Sequence, residues 1–173
     1  MLGKTVSVRK VGNRVVVTNR PKRQLGKPSE KLEAFQEKFQ AAVKYSKRQI
    51  AKADARALYA TGITAKKRSA FIVALTDYLS APKVKSISTI DYHGAIGDPI
   101  VVKATDDFMV TKVKVMITRA DGILIEEGEA QLDAETDLWV YKATAANPVL
   151  AGTTIQAMAF DKPGNQGTAQ IVL

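Results

Sequence analysis

The spacing of apolar residues changes once along this chain of 173 residues, close to residue 85. Before that point apolar side chains recur every three or four positions, as in amphipathic helices; after it they alternate with polar ones, as in β-strands. Turn-forming Gly, Pro, Asn and Asp residues separate the alternating runs. The predicted strands are 86–92, 99–105, 110–118, 123–127, 137–144, 153–160 and 168–173. Seven short strands in this length predict a small antiparallel β-sandwich over residues 86–173.

Further elements are predicted before residue 86. Alternation around Gly12 and Asn13 predicts a β-hairpin over residues 4–19, because these residue types favour tight hairpin turns. Helical spacing predicts a first helix over about 29–60 and a second over 64–80, with Thr64 or Ser69 as the N-cap of the second, joined as a helical hairpin. The predicted buried face of the first helix comprises Leu32, Phe35, Phe39, Ala42, Val43, Ile50, Ala53 and Ala57. The predicted fold class is α+β, with a β-hairpin and a helical hairpin before a seven-stranded sandwich.

Charge divides the chain at the same place as the apolar pattern. Residues 1–85 contain 20 Lys and Arg against 5 Asp and Glu, a net charge of +15, and residues 86–173 contain 6 against 12, a net charge of −6. We therefore expect two domains, a basic head (1–85) and an acidic sandwich (86–173). The head is expected to bind an anionic partner: nucleic acid, acidic lipid headgroups, or the acidic half of a neighbouring copy.

Two groups of basic residues are candidates for that contact. One is the basic joint, residues 20–28, and the other is a helical ridge on which Lys31, Lys38, Tyr45 and Lys52 recur every seven positions. A line of cations with an aromatic ring can follow a phosphate backbone. The alternative is a solvated helix face on which Tyr45 simply packs. The candidate binding residues are Arg20, Lys22, Arg23, Lys27, Lys31, Lys38, Tyr45, Lys52, Arg56, Lys66, Lys67 and Arg68.

Residue types that carry catalysis are scarce. Cysteine is absent and His93, expected in a surface turn, is the only histidine, which excludes thiolate chemistry and histidine-rich metal sites. Glu126–Glu129, with the sequence EEGE, is expected to be an acidic rim at a hairpin end rather than a general acid and base pair, since no substrate cleft or glycine-rich phosphate loop accompanies it. No catalytic residue and no cofactor are predicted.

Four aspartates near predicted strand ends raise the question of a calcium site. Asp98, Asp106, Asp107 and Asp161 would have to gather at one end of the sandwich to supply oxygen ligands. Aspartates in turns also hydrogen-bond their own backbone, which accounts for all four without a metal. We therefore predict no metal site.

No apolar run approaches the roughly 20 residues that span a bilayer. The first residues also lack the apolar region and cleavage site of a signal peptide. The expected location is the cytoplasm, or the outside by a route that leaves no such signal.

The segment Trp139–Leu173 resembles the closing strands of bacterial immunoglobulin-like (Ig-like) domains. A Y-x-A-T strand end leads through a glycine corner to an A-x-D strand end and a G-N turn. The matching positions are Tyr141, Ala143, Thr144, Gly152, Ala159, Asp161, Gly164 and Asn165. The resemblance implies an Ig-like sandwich, a fold that serves as spacer, adhesion module or decoration on larger assemblies and has no catalytic residues to transfer.

Three functions remain open. The first is a non-enzymatic structural or adaptor subunit of a larger protein assembly, which joins neighbours through the N-terminal hairpin and through head-to-tail charge complementarity. The second is a nucleic-acid-associated protein whose basic head binds phosphates without sequence preference. The third is a soluble carbohydrate-binding module that uses Trp139 and Tyr141 as a stacking platform.

Overall fold

The structure is a computed structural model that describes residues 6–19 and 29–173. Its strands and helices are β1 (Val6–Val11), β2 (Arg14–Asn19), α1 (Glu30–Ala51), α2 (Ala53–Ala60), α3 (Ala70–Leu79), β3 (Lys83–Ser88), β4 (Pro99–Thr105), β5 (Val110–Thr118), β6 (Leu124–Asp133), β7 (Leu138–Lys142), β8 (Thr154–Asp161) and β9 (Gln166–Val172). The predicted α+β class is confirmed. The chain divides into two compact units, Met1–Phe35 and Gln36–Leu173.

The first unit contains an antiparallel β-hairpin, as predicted for this part of the chain. Strands β1 and β2 pair along their whole length, with Val8 opposite Val17. The turn between them needs a positive φ at its first residue, and Gly12 supplies it with φ 59°.

The helices differ from the prediction in their bounds. The stretch predicted as one helix is two, because the backbone is extended at Lys52 (φ −92°, ψ 125°) between α1 and α2. Helix α3 begins at Ala70 rather than at residue 64. Its N-cap is Ser69, one of the two predicted caps, whose Oγ accepts a hydrogen bond from the Ile72 N–H at 3.3 Å.

The predicted buried face of α1 is largely wrong. Burial in α1 is confined to its second half, where Ala42, Tyr45 and Ser46 are buried. The apolar side chains of the first half, Leu32, Phe35 and Phe39, are exposed. Helix packing explains the difference, because the Tyr45 ring lies 5.1 Å from the Tyr78 ring of α3 and fixes which face turns inward. Of the remaining predicted positions, Val43 and Ile50 are partly buried and Ala53 and Ala57 are exposed.

The second unit contains one seven-stranded antiparallel sheet with the order β3-β4-β7-β6-β5-β8-β9. The long strand β6 joins its two halves, since residues 124–130 pair with β5 and residues 131–133 with β7. Each of the seven predicted runs overlaps a strand of this sheet, although β3 begins earlier, at Lys83, and β6 extends to Asp133. The core comprises Tyr92, Ile100, Val102, Val113, Val115, Ile117, Ala130, Trp139, Tyr141, Ala143, Ile155, Ala157 and Ala159.

Helix α3 is attached to the sheet through the turn that follows β8. The side-chain amide of Asn165 donates to the carbonyls of Asp77, Tyr78 and Ser80 at 3.3, 3.2 and 3.1 Å. These carbonyls belong to the end of α3, where backbone acceptors lack helical partners. The boundary predicted at residue 85 falls inside β3, and the helices from Gln36 onward belong to the same compact unit as the sheet.

Candidate functional site

The β-hairpin has two chemically different faces. Because side chains alternate along a strand and opposite residues share a face, the pairing places Val6, Val8, Val15 and Val17 together, with Lys10 and Asn19. We call this side the valine face. Val8, Val15 and Val17 are 58%, 67% and 59% exposed. The opposite face carries Arg9 and Arg14 together with Val11 and Val16. Four valines and one lysine therefore lie on the first side of the ribbon, and two valines and two arginines lie on the other.

The predicted binding residues do not form one continuous ridge in the structure. Arg20, Lys22, Arg23 and Lys27 lie outside the described residues. Lys31, Lys52, Arg56 and Lys66 are exposed and remain candidates for contact with an anion. Tyr45 is buried, so its ring offers no stacking surface beside them.

Three of the predicted cations are engaged within the fold. The Lys38 ammonium donates to the Leu79 carbonyl at 3.1 Å. The Lys67 ammonium lies 2.7 Å from a carboxylate oxygen of Asp107, and the guanidinium of Arg68 donates to the Ala65 carbonyl at 3.3 Å. Lys38 thereby contacts the end of α3 and Lys67 contacts the β4–β5 turn, whereas the Arg68 contact lies within the loop before α3.

A basic cleft that sequence reasoning missed lies between α1 and α3. It has a volume of about 480 Å³ and is lined by Ala41, Lys44, Lys47, Arg48 and Tyr78. We call it the α1–α3 cleft. The ion pairs among the described residues join Lys67 to Asp107, Lys112 to Glu129 and Arg119 to Asp121. The three cations of the cleft therefore have no carboxylate partner in the described part of the chain. The i, i+3 and i+4 spacing from Lys44 was the signal for this cluster.

The proposed carbohydrate platform is buried. Trp139 is 8% exposed and Tyr141 is 4% exposed, so neither ring presents a face to a sugar. The Tyr141 hydroxyl instead donates to Glu126 at 2.7 Å. Burial, together with this hydrogen bond to a carboxylate, raises the pKa of Tyr141 to about 12.

The acidic EEGE stretch divides into one internal and two external carboxylates. Glu126 is buried, and besides Tyr141 its Oε2 accepts from the hydroxyl and the N–H of Thr144, at 2.5 and 2.7 Å. Glu127 and Glu129 are exposed and line a cleft of about 510 Å³ along β6, which we call the β6 cleft. The predicted acidic rim therefore describes Glu127 and Glu129, whereas Glu126 holds the chain that follows β7.

Three carboxylates from distant parts of the second unit lie together. Asp77 of α3, Asp106 of the β4–β5 turn and Asp161 at the end of β8 each contribute an oxygen to a group within 4.8 Å. Sequence reasoning singled out Asp106 and Asp161 but paired them with Asp98 and Asp107, which do not belong to this group.

Asp77 is the most deeply placed of the three carboxylates. Its Oδ2 accepts from the Tyr59 hydroxyl at 2.7 Å, and the Tyr59 and Tyr45 hydroxyls are 2.8 Å apart. Burial raises the pKa of Asp77 to about 7; the Tyr59 hydrogen bond opposes this shift and the charges of Asp106 and Asp161 add to it. Burial likewise raises the pKa of Tyr59 well above its usual range.

No known protein family matches the chain, and no curated protein has a significantly similar sequence. Among the described residues, no helix combines the length and the apolar character needed to cross a membrane.

Proposed function

We propose that this protein is a non-enzymatic structural subunit whose N-terminal hairpin binds the sheet of a second copy of the same chain. The observation that carries the proposal is the valine face. An amphipathic two-stranded ribbon is marginally stable in water, because one ribbon cannot bury its own apolar side. Three valines more than half exposed on one side of such a ribbon are typical of a contact surface.

Charge supports a second copy as the occupant. Residues 1–35 contain nine Lys and Arg and two Glu, a net charge of +7, whereas residues 86–173 carry −6. Opposite charges on the two contacting regions steer association and reject wrongly oriented encounters. Because the two surfaces are different, the contact is heterologous and joins copies into a ring or a filament.

The β6 cleft is the acceptor that best fits this hairpin. It offers the exposed carboxylates Glu127 and Glu129 of β6 and the apolar side chain of Val140 of β7, beside one cation, Lys142. Acidic and apolar groups in one cleft complement a ribbon that carries valines and cations. The valine face supplies contact area, and the net charge supplies orientation.

We also propose that the seven-stranded sheet is an Ig-like sandwich. In Ig-like domains the strands, lettered in chain order, form the sheets ABED and CFG. Lettering β3–β9 in the same way, the order β3-β4-β7-β6-β5-β8-β9 reads A-B-E-D-C-F-G. This agreement supports the resemblance of the closing strands, and a structural role is common for that fold.

Light-scattering mass of nuclease-treated protein, at roughly 0.1 M and 1 M salt, tests the assembly proposal. We expect several subunits at low salt and fewer at high salt, since the screening length falls from about 10 Å to about 3 Å. Replacing both Val8 and Val17 by Thr should lower the mass. The matched control replaces Val11 and Val16 by Thr on the opposite face and should leave it unchanged. A monomer at both salts would overturn the proposal.

The assignment of the β6 cleft as the surface that receives the hairpin is tested by removing its negative charges. Glu127→Gln with Glu129→Gln should reduce assembly, whereas Asp121→Asn with Glu135→Gln makes the same charge change outside the β6 cleft and should not. Equal effects of both pairs would mean that net charge alone drives association, and the β6 cleft would lose its assignment.

A second candidate function is binding of single-stranded nucleic acid at the α1–α3 cleft. The observation that favours it is the group Lys44, Lys47 and Arg48 around Tyr78, without carboxylate partners among the described residues. Cations bind phosphates and an aromatic ring stacks on bases, and neither contact requires a particular sequence.

Two triple variants with equal charge loss separate this site from the predicted ridge. Lys44→Gln, Lys47→Gln and Arg48→Gln should reduce the salt slope of oligonucleotide binding by about 2, at roughly 0.7 per phosphate contact for single strands. Lys31→Gln, Lys52→Gln and Arg56→Gln should leave more of the binding intact. Fluorescence anisotropy with a labelled oligonucleotide of mixed sequence measures both. Equal losses would indicate diffuse electrostatic attraction and contradict a discrete site.

A further inference from the structure

Three acidic side chains in the second unit meet although they are far apart in sequence. Asp77 lies near the end of α3, Asp106 lies in the turn between β4 and β5, and Asp161 ends β8. One oxygen of each lies within 4.8 Å of the others. Three like charges at this distance repel one another unless a positive species lies between them.

The burial of this group is a second observation, independent of how closely the three carboxylates lie. Asp77 is fully buried, with 0% exposure. Its Oδ1 and the Oδ1 of Asp106 are buried without a hydrogen-bond partner. Buried polar atoms in folded proteins are nearly always partnered, and an unpartnered one costs about 1–3 kcal/mol. No Lys, Arg or His among the described residues forms an ion pair with any of the three carboxylates.

Local turn chemistry accounts for other oxygens of these side chains but not for the two without partners. Asp106 uses Oδ2 to accept from the N–H groups of Phe108 and Met109, both at 3.1 Å. Asp77 uses Oδ2 to accept from Tyr59, at 2.7 Å. These contacts hold each carboxylate by its Oδ2 and leave its Oδ1 without a hydrogen-bond partner.

Asp161 is also fixed in place. Its Oδ1 accepts from the N–H groups of Gly164 and Asn165, at 2.8 and 2.6 Å, and its Oδ2 accepts from the Asn165 side-chain amide at 2.6 Å. A carboxylate oxygen has two acceptor positions, so these contacts leave room for a cation. The three ligands are therefore oriented before any ion arrives.

We propose that Asp77, Asp106 and Asp161 form a calcium site that fastens α3 to the sheet. The group contains oxygen donors alone, which selects a hard divalent cation over zinc or copper. With Ca–O distances near 2.4 Å, two oxygens bound to the same calcium ion are at most about 4.8 Å apart, and the three oxygens satisfy this limit. Calcium also accepts irregular coordination and completes its shell with water.

The ion would act as a structural cross-link. Its ligands come from α3, from the β4–β5 turn and from the end of β8, and Asn165, which caps α3, also contacts Asp161. A bound ion stabilises the folded state by mass action, since the site exists in the folded chain alone. This inference is independent of how the hairpin contacts other molecules.

Calorimetric titration of the full chain with CaCl2, after treatment with EDTA, tests the site directly. We expect one ion bound per chain and, at 100 times Kd, a melting temperature raised by roughly 5–10 °C. MgCl2 should give a smaller shift, because magnesium demands a stricter geometry. Excitation of tyrosine should also sensitise terbium luminescence, because the Tyr59 hydroxyl lies 2.7 Å from Asp77.

Two variants keep the test independent of folding. Asp77→Asn should abolish the calcium response and melt no lower than the EDTA-treated wild type, because it removes a buried charge. Asp106→Asn should lower the affinity for calcium by at least about tenfold. The matched control is Asp121→Asn, since Asp121, like Asp106, accepts from the N–H two residues later. Absence of binding heat, or equal calcium responses in Asp106→Asn and Asp121→Asn, would overturn the proposal. The close approach of the carboxylates would then be explained by a proton shared between Asp77 and Asp106.

Discussion

The hairpin and the centre of the large sheet use the same residue, valine, in opposite surroundings. In β1 and β2 the pair Val8 and Val17 is more than half exposed, whereas Val113 and Val115 of β5 are completely buried. Val8 lies between the polar residues Ser7 and Arg9, and Val113 lies between Lys112 and Lys114. Strand β5 lies between β6 and β8 in a seven-stranded sheet, while each hairpin strand has a single neighbour. Alternation therefore defines a face, and the number of neighbouring strands and layers decides whether that face is covered.

The strongest way to test this comparison is to remove core volume from β5. Ile117→Ala should lower the free energy of unfolding by about 2–5 kcal/mol, because Ile117 is fully buried and the deletion leaves a cavity. Urea denaturation followed by Trp139 fluorescence measures it. A loss below about 1 kcal/mol would mean that the core collapses around the deletion or is loosely packed.

A second test adds volume where two edge strands approach. A Cβ at Gly167 of β9 would collide with the carbonyl of Pro82, directly before β3. Gly167→Ala should therefore destabilise the sheet by about 1–3 kcal/mol, since a backbone atom must move. Thr168→Ala at the exposed neighbouring position serves as the control. Equal melting temperatures for the two variants would contradict the close approach of β3 and β9.

The comparison itself is tested by one substitution made in both places. Val115→Thr buries a hydroxyl and should cost about 1–3 kcal/mol. Val17→Thr makes the same change on the exposed valine face. The free energy of unfolding of the sheet in this variant should stay within about 0.5 kcal/mol of the wild-type value. A large loss from Val17→Thr would show that the valine face supports the stability of the sheet.

The smallest expected effect concerns a turn beside the sheet. Hydrogen bonds from the N–H groups of Ala95 and His93 hold the pKa of Asp98 below its ordinary value of 3.8. A lowered pKa in the folded state adds stability above pH 3.8 that is lost as the pH falls through the folded value. Asp98→Asn should therefore be less stable than the wild type near pH 6, and the difference should shrink below pH 4. A stability difference between Asp98→Asn and the wild type that does not change with pH would contradict a contribution from the lowered pKa of Asp98.

Local patterns predicted the strands well. The runs at 99–105 and 110–118 coincide with β4 and β5. In β5 the alternation of Val with Lys is a local signal, and in β4 a short apolar run of β-branched residues bounded by turn residues is one. His93 is exposed in a turn, as expected. The helical region was harder, since periodicity names an apolar stripe without naming what it packs against. Tyr45 completed a lysine series in sequence but is buried beside Tyr59.

The functional clusters depend on contacts that no local pattern contains. Asp77, Asp106 and Asp161 are brought together by the fold and not by spacing in sequence. The strand-end pattern contained Asp106 and Asp161, but the sequence predicted no metal site there. The α1–α3 cleft likewise needs Tyr78 from a different helix. The charge counts predict an anionic partner but do not show which cations lack a partner within the fold. The structure shows that Lys38 and Lys67 donate to the carbonyls of Leu79 and Asp107.

The contact of Asn165 with the end of α3 bears on how the protein folds as it is synthesised. The amide that satisfies the Asp77 carbonyl lies 88 residues further along the chain. Helix α3 therefore leaves the ribosome with its last carbonyls exposed to water, and they stay so until residue 165 emerges. Contacts of such long range form late and slow the search for the native state. The end of α3 in the nascent chain is thus not capped until the β8–β9 turn has been synthesised. During that period chaperones have access to surfaces that are buried in the folded protein.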